Sequence, residues 1–409
     1  MNIGLFTDTY FPQVSGVATS IKTLRDELTA QGHAVYIFTT TDPKVAKQSD
    51  EPGIYRFPSI SYVGFKDRRL AYRGWVQAVQ IAKELDLDII HTQTEFSLGL
   101  LGKIVARRLH IPVVHTYHTM YQDYLHYVAN GKLLTPGSVR VLIRQYLKNV
   151  QAVVAPSAKV EEVLAGYEVP APILVIPTGV PVPERKVDGS AVRAALGFAE
   201  GQPMVLSLGR LAFEKNVETT LTAFVDVLDA RPDARLIIVG DGPARSSLED
   251  HADALGIMDA VTFTGMVNHD DVPAYFAAAD VFVSSSDSET QGITFVEAMA
   301  ANRPFVALPS PFLVDLVTDE AIGVLALDYD EFVEGILGYF DRENSDEDAR
   351  IRRAALTNVD AVTFGQKIIA LYTEVLANYQ AIANDEDEDL NEDEAGYANR
   401  LLRNPFRRK

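Results

Sequence analysis

The sequence predicts an α/β protein made of two doubly wound parallel-sheet domains, on three observations. In each half, apolar runs of three to five residues alternate with helical stretches, as parallel strands joined by crossover helices do. Between the halves, Pro181 to Ser190 is rich in proline and charge and has no apolar period, which marks a linker. The length of 409 residues, 47% of them apolar, exceeds one ordinary domain and suffices for two cores. The expected division is a first domain at 1–180, a linker at 181–200, a second domain at 201–358, a long helix at about 359–380, and a tail at 384–409.

Taken in order, Ile3 to Phe6 reads as a buried strand. Thr7 to Gly16 follows as a loop and Val17 to Ala30 as an amphipathic helix. A strand, a glycine-bearing loop and a helix make a turn that can face phosphate, although the spacing is not a dinucleotide fingerprint. Gly16 either lets a phosphate or sugar approach the backbone or is a plain turn glycine. The strands Val35 to Thr39, Ile89 to Thr92, Val113 to Thr116 and Ala152 to Ala155 continue the first sheet, and Ile173 to Ile176 closes it. His118 lies just past a strand's carboxyl end, where open α/β sheets bind ligands, whereas His115 is expected to face the core. Asp86-Leu-Asp88 is spelled like a metal-binding pair but precedes a strand, so no metal site is expected.

Lys132 to Val150 holds four cations and no acid. As a helix over Ser138 to Asn149 it would place Arg140, Arg144 and Lys148 on one stripe, with Val139, Leu142, Ile143, Tyr146 and Val150 opposite. That fits either an ordinary surface helix or a basic face resting on anionic head groups, with Arg68, Arg69, Arg73 and Trp75 nearby.

The second half repeats the alternation with strands Met204 to Leu208, Leu236 to Val239, Val261 to Thr264, Val281 to Val283 and Phe305 to Leu308. The first runs into Gly209-Arg210-Leu-Ala-Phe-Glu-Lys215-Asn216 and then a helical pattern. Two cations at a strand end and a helix start suit a diphosphate held without metal. The fourth strand leads through a Ser/Asp loop to Glu289, Gly292 and a helix from Ile293 to Ala301 carrying Glu297. Gly292 is expected to expose the N–H groups of Ile293 and Thr294, at the positive end of the helix dipole, to phosphate or hydroxyl oxygens. Both carboxylates are expected to point into the crevice. Gly240-Asp-Gly-Pro243 and Gly265-Met266-Val267 are turns after strands.

Together, Gly-Arg-Leu-x-x-Glu-Lys-Asn and, some 75 residues on, Glu-x7-Glu resemble the family 4 retaining glycosyltransferases of the GT-B fold, from Met1 to about Tyr379. Asp-Thr-Tyr-Phe-Pro-Gln-Val-Ser-Gly-Val near the start, His115 to Tyr124, and Ser-Glu-Thr-Gln-Gly-Ile-Thr-Phe-Val-Glu are similar to the branch that glucosylates diacylglycerol in Gram-positive bacteria. Gln291 stands where many members of the wider family carry Phe. Asn302 departs from the family's usual Gly, and Pro309-Ser-Pro-Phe-Leu from its Gly-rich turn.

The resemblance implies two Rossmann-like domains facing across a cleft, with the long helix crossing back to the first. It implies transfer of glucose from UDP-glucose to 1,2-diacylglycerol with the α configuration retained, and no cofactor. Arg210 and Lys215 would neutralise the leaving diphosphate, Glu289 would hold the sugar, and Glu297 the ribose. The base would lie near Met266, with His118 beside the transferred sugar. The alternatives are the same donor site acting on another lipid, a polyol or a protein, or a non-catalytic scaffold.

Composition bounds the partners. There are no cysteines, which excludes disulfides and cysteine-ligated metal and fits a reducing cytoplasm. No apolar run reaches 18 residues, and Asn2 to Phe6 already reads as a strand, so neither a membrane span nor a signal peptide is expected. The net charge of −19 argues against nucleic acid. Residues 1–180 carry 18 Lys/Arg against 15 Asp/Glu, and the remainder 19 against 41, so only the first domain suits an anionic surface. The expected place is the inner face of the cell membrane, as a peripheral protein. The acid run Asp385 to Glu394 is expected to be disordered. The basic end with Arg400, Arg403, Arg407, Arg408 and Lys409 is either a solvated tail or a weak lipid anchor. The oligomeric state is not legible.

Overall fold

The computed structural model describes the chain except residues 14, 44, 46–50, 63–64, 122–135, 287–288 and 403–409; of 62, 65–68, 136 and 382–402 it describes the backbone alone. The first sheet is built from β1 (Asn2–Phe6), β2 (Ala34–Thr40), β3 (Ile54–Phe57), β6 (Ile89–Thr92), β7 (Val113–Thr116), β8 (Ala152–Ala155) and β9 (Ile173–Val175), in the order β3-β2-β1-β6-β7-β8-β9 and all parallel. Its layers are α1 (Gly16–Ala30) with α14 (Ala361–Leu402) on one face. On the other lie α2 (Trp75–Glu84), α3 (Ser97–Leu109), α4 (Pro136–Tyr146) and α5 (Ala158–Gly166). A hairpin of β4 (Ser59–Tyr62) and β5 (Phe65–Ala71) precedes α2.

The second sheet runs β12-β11-β10-β13-β14-β15, also parallel, from β10 (Met204–Leu208), β11 (Arg235–Val239), β12 (Val261–Gly265), β13 (Val281–Ser284), β14 (Phe305–Ala307) and β15 (Gly323–Leu325). Its helices are α6 (Ser190–Ala195), α7 (Val217–Ala230), α8 (Arg245–Ala254), α9 (Val272–Ala278), α10 (Ile293–Ala300), α11 (Pro311–Leu316), α12 (Tyr329–Asp341) and α13 (Asp346–Leu356). Strands buried on both faces read as continuous apolar runs, which is why they were visible in the sequence. The order reverses between β1 and β6 and between β10 and β13. Crevices at the carboxyl ends of those pairs are where such sheets take ligands.

Local signals account for the helix starts. Ser15 accepts from Ala18 N at 3.2 Å, Asp328 from Glu331 N at 3.0 Å, and Ser345 with Asp348 forms a capping box. α3 has no cap of its own at Phe96. Asp8, just past β1, reaches across instead and accepts from Leu98 N at 3.1 Å and from the Ser97 hydroxyl. Burial pushes its carboxyl up from the usual range.

α1 begins at Gly16 itself, whose backbone is helical. A Cβ there would face Ile293 Cδ1 of the second domain at 3.8 Å, so the glycine is no turn residue. The last helix runs to Leu402, past its expected end near 380, and its backbone takes in the acid run Asp385 to Glu394. Its apolar residues Phe364, Ile368, Leu371 and Tyr372 cover the first domain's core beside α1. Residues 403–409, with Arg403, Arg407, Arg408 and Lys409, lie outside the described residues, as does Lys132; the side chains of Arg68 and Arg400 do too.

Candidate active site

Loops from the second sheet's switch point converge. Arg210 leaves β10, and Lys215 ends a 3₁₀ turn, Phe213–Lys215, that leads into α7 through Asn216 at φ +50°. Lys215 Nζ donates to Glu289 Oε1 at 2.8 Å, across 74 residues of chain. The two loops are tied below that pair. The Ser285 hydroxyl donates to Asn216 O at 2.6 Å and lies 2.8 Å from Thr220 Oγ1. Ser285 and Asn216 thus hold the cation against the acid. Neither was singled out from the sequence, although Asn216, a residue that tolerates the left-handed region, stood within the motif.

Gly292 differs from its expected reason. It is the N-cap of α10 at φ +79°, and a Cβ there would fall 2.6 Å from Phe295 Cδ2, so backbone twist and ring packing both require glycine. Among the described residues no side chain caps α10, so the amides of Ile293 and Thr294 stand at the start of the helix without a side-chain cap from those residues. Gly240, after β11, is also demanded by a close approach: a Cβ would lie 1.9 Å from the carbonyl oxygen of Gly209. Gly240 N donates to Gly265 O at 3.0 Å, drawing the turns after β10, β11 and β12 together, with Met266 half exposed beyond them.

The two glutamates do not share one environment. Glu289 is engaged by Lys215. Glu297, one turn into α10, faces a recess between the domains lined by Thr19, Val180, Pro181, His269 and Ala301. Its carboxyl has no hydrogen-bond or ion-pair partner among the described residues, and burial pushes it up to about 7. A carboxyl raised in this way is stabilising while protonated below about pH 4.5, and that contribution is lost as pH rises through about 7. Glu297→Gln is therefore expected to raise the melting temperature of the ligand-free protein by a few degrees at pH 8, the shift amounting to at most about 3 kcal/mol. The gap should vanish at pH 4.5, as thermal unfolding at the two pH values checks.

On the first domain's side, His118 Nε2 donates to Gln93 Oε1 at 2.7 Å, and burial holds the imidazole neutral with its pKa pushed down to about 3. His115 is buried as expected, but in a polar network. Its ring meets Thr92 Oγ1 at 2.8 Å and Glu95 Oε1 at 3.2 Å, and the Tyr121 hydroxyl donates to the same carboxylate. Gln93 and Glu95 follow β6, the strand at the switch point, so the rule that singled out His118 applied equally to them.

The basic stripe is corrected. Arg140 and Arg144 both donate to Glu168, the latter at 3.0 Å, and Lys148 lies past the end of α4. Leu142 is 57% exposed beside the equally exposed Val141, not packed on the core with Val139 and Ile143. Further solvent-facing apolar residues are Trp75 and Val76 at the start of α2, and Phe96, Leu100 and Ile104 at four-residue steps along α3. Lys103 joins α3 to α4 by donating to Tyr146 O and Lys148 O, and burial lowers its pKa to about 8.

The model described as Glycosyltransferase Family 4 matches residues 14–183, and that described as Glycosyl transferases group 1 matches 189–356. Alpha-monoglucosyldiacylglycerol synthase of Streptococcus pneumoniae is 44% identical over 400 residues, 96% of this chain and 89% of its own. The enzyme of the same name from Acholeplasma laidlawii is 33% identical, covering 82% and 87%. Among solved structures, sucrose-phosphate synthase of Thermosynechococcus elongatus superposes with a TM-score of 0.73 at 21% identity, over 92% of this chain and all of the other. HepE of Anabaena in complex with UDP-glucose gives 0.72 at 19%, over 91% and all of its chain. These two likenesses bear on the fold alone. With both halves matched in sequence and the paired parallel sheets matched in space, the chain belongs to the family 4 glycosyltransferases of the GT-B fold and is a hexosyltransferase.

Proposed function

We propose that this enzyme transfers glucose from UDP-glucose to the free hydroxyl of 1,2-diacylglycerol, retaining the α configuration, at the surface of an anionic membrane. The observation that carries the reading is the Lys215–Glu289 pair, set between Arg210 at the end of β10 and the first amides of α10. Support for the acceptor comes from the two relatives named for that glycolipid.

In this reading Arg210 and Lys215 stabilise the charge that develops on the leaving diphosphate, and no metal is needed. Glu289 keeps one oxygen on Lys215 and turns the other to the sugar hydroxyls. Glu297, unpartnered in its recess, accepts from the ribose hydroxyls once ionised. His118, neutral with its proton on Nε2, presents Nδ1 as an acceptor beside the transferred sugar. No covalent glycosyl intermediate is invoked.

Calorimetry tests the donor assignments. Glu297→Gln is expected to weaken UDP itself, whereas Glu289→Gln should spare UDP and weaken only UDP-glucose. Equal losses in both would remove the distinction. Parent binding of UDP should also weaken below pH 7 as Glu297 gains its proton, a slope that Glu297→Gln should lack. GDP binding as tightly as UDP would overturn the donor.

Among the described residues no helix is long and apolar enough to cross a membrane. In this reading the enzyme docks peripherally, through the exposed apolar residues of α2, α3 and α4 and the cations among them.

A further inference from the structure

Gln291 sits one residue past Thr290 and one before Gly292, yet the hydrogen bonds of its side-chain amide go to no group assigned to the donor. Its side chain crosses to the first domain. Gln291 Oε1 accepts from Thr178 N and Gln291 Nε2 donates to Thr178 O, both at 2.8 Å. The amide thus pairs with one residue's backbone as a neighbouring strand would. Both residues are buried, at 4% and 3% exposure. One residue earlier, the Ser157 hydroxyl donates to Thr290 O at 2.6 Å. Ser157 is the N-cap of α5 and makes no capping bond to its own helix, so its hydroxyl is spent across the domain boundary.

The partner segment matters as much. Thr178 lies where the chain leaves the first domain. Ile176 N still donates to Ala155 O in the first sheet, while Val180 pairs with Val359 and Ala361 on the return crossing. Thr178 is the span between those anchors, and its hydroxyl lies 3.1 Å from Ser20 Oγ of α1. On the other side of Gln291, Glu289 is bound to Lys215 of the second domain. Of three successive residues, Glu289 therefore ties the catalytic loop to the second domain, and Thr290 and Gln291 tie it to the first.

We propose that Gln291 is a positioning residue that couples domain orientation to the donor site: its double hydrogen bond to Thr178, seconded by Ser157, sets the loop that carries Glu289 and starts α10. The inference deepens the glycosyltransferase reading above and rests on it only for the choice of assay. If domains rotate about the two crossings, Thr178 moves with the crossing strand and draws the loop with it. Glu289 is then in register for the sugar only in the engaged arrangement. The nucleotide, held at Glu297 and the turns after β10 to β12, should be less affected.

The test compares the parent with Gln291→Met, which keeps length and loses both hydrogen bonds, and with Ser157→Ala. Turnover is expressed per nucleotide-binding site, counted by UDP titration, with whichever nucleotide sugar the parent uses. Gln291→Met is expected to lower turnover about 10²-fold, the scale of a roughly 1 Å misplacement, while the UDP dissociation constant changes less than about threefold. Ser157→Ala should shift the same way by about two- to tenfold. Amide exchange at Thr178 should speed up in Gln291→Met, which verifies the contact without any substrate. Unchanged turnover per site in Gln291→Met, or an equal loss of UDP affinity and turnover, overturns the proposal. Should Gln291→Met fail to fold, Ser157→Ala decides it, and full turnover there overturns it. A parent that used no nucleotide sugar at all would instead count against the function proposed above, leaving Thr178 exchange to report on the contact.

Discussion

Lys215→Ala is expected to lower turnover by about 10²- to 10³-fold, the scale for removing one preorganised charge contact from a developing anion. Two effects add in the same direction. The leaving diphosphate loses a cation, and Glu289, whose side chain is 16% exposed, loses the ammonium 2.8 Å away that holds it. Arg210→Ala removes a cation but leaves the Lys215–Glu289 bond in place, so its loss should be of order 10²-fold. Steady-state kinetics on both variants separate the cases. If either variant keeps full turnover and only binds donor more weakly, the cation acts on the ground state and the assigned role is wrong.

The second large effect is expected at the membrane. Arg140 and Arg144 share Glu168, so reversing Arg140, Arg144 and Lys148 to glutamate perturbs a stripe already partly neutralised. Each cation near an anionic surface is worth about 1 kcal/mol at most, and salt screens it. Phe96, Leu100 and Ile104 have more to offer, since burying a side chain of that size contributes about 1.5–3 kcal/mol. Leu100→Asp combined with Ile104→Asp is therefore expected to weaken binding to anionic vesicles about 10²-fold or more and to depress turnover on vesicle-borne diacylglycerol to match. A short-chain acceptor dispersed in detergent should still be glucosylated at the parent rate, because the donor loops are untouched. Flotation of the double variant at the parent level would show that the membrane meets another face.

What was legible in the sequence follows from how local each feature is. Strands such as Met204–Leu208 and Ala152–Ala155 are buried on both faces and announce themselves as apolar runs. The linker and the motif loops carry their own turn chemistry. The pairing of Lys215 with Glu289, by contrast, joins residues 74 apart, and that of Gln291 with Thr178 spans 113. No periodicity encodes such contacts. Leu142 was misplaced because helical spacing gives the angle of a side chain about its axis, not how wide a stripe the neighbouring helices cover.

The departure at Asn302 finds a physical account. It stands just past α10 at φ +61°, the left-handed end of a helix where glycine is usual and asparagine is tolerated. Its side chain gains what glycine lacks, since Arg352 Nε donates to Asn302 Oδ1 at 3.0 Å and fastens α13 to the end of α10.

The most direct measurement is transfer itself: purified enzyme, UDP-glucose labelled in the sugar, and anionic vesicles with or without 1,2-diacylglycerol, with the anomeric configuration of the lipid product read by NMR. Label is expected in an α-glucosyldiacylglycerol that forms only when diacylglycerol is present and disappears with Lys215→Ala. Label that stays in water, goes to another acceptor, or appears in a β-linked product would contradict it.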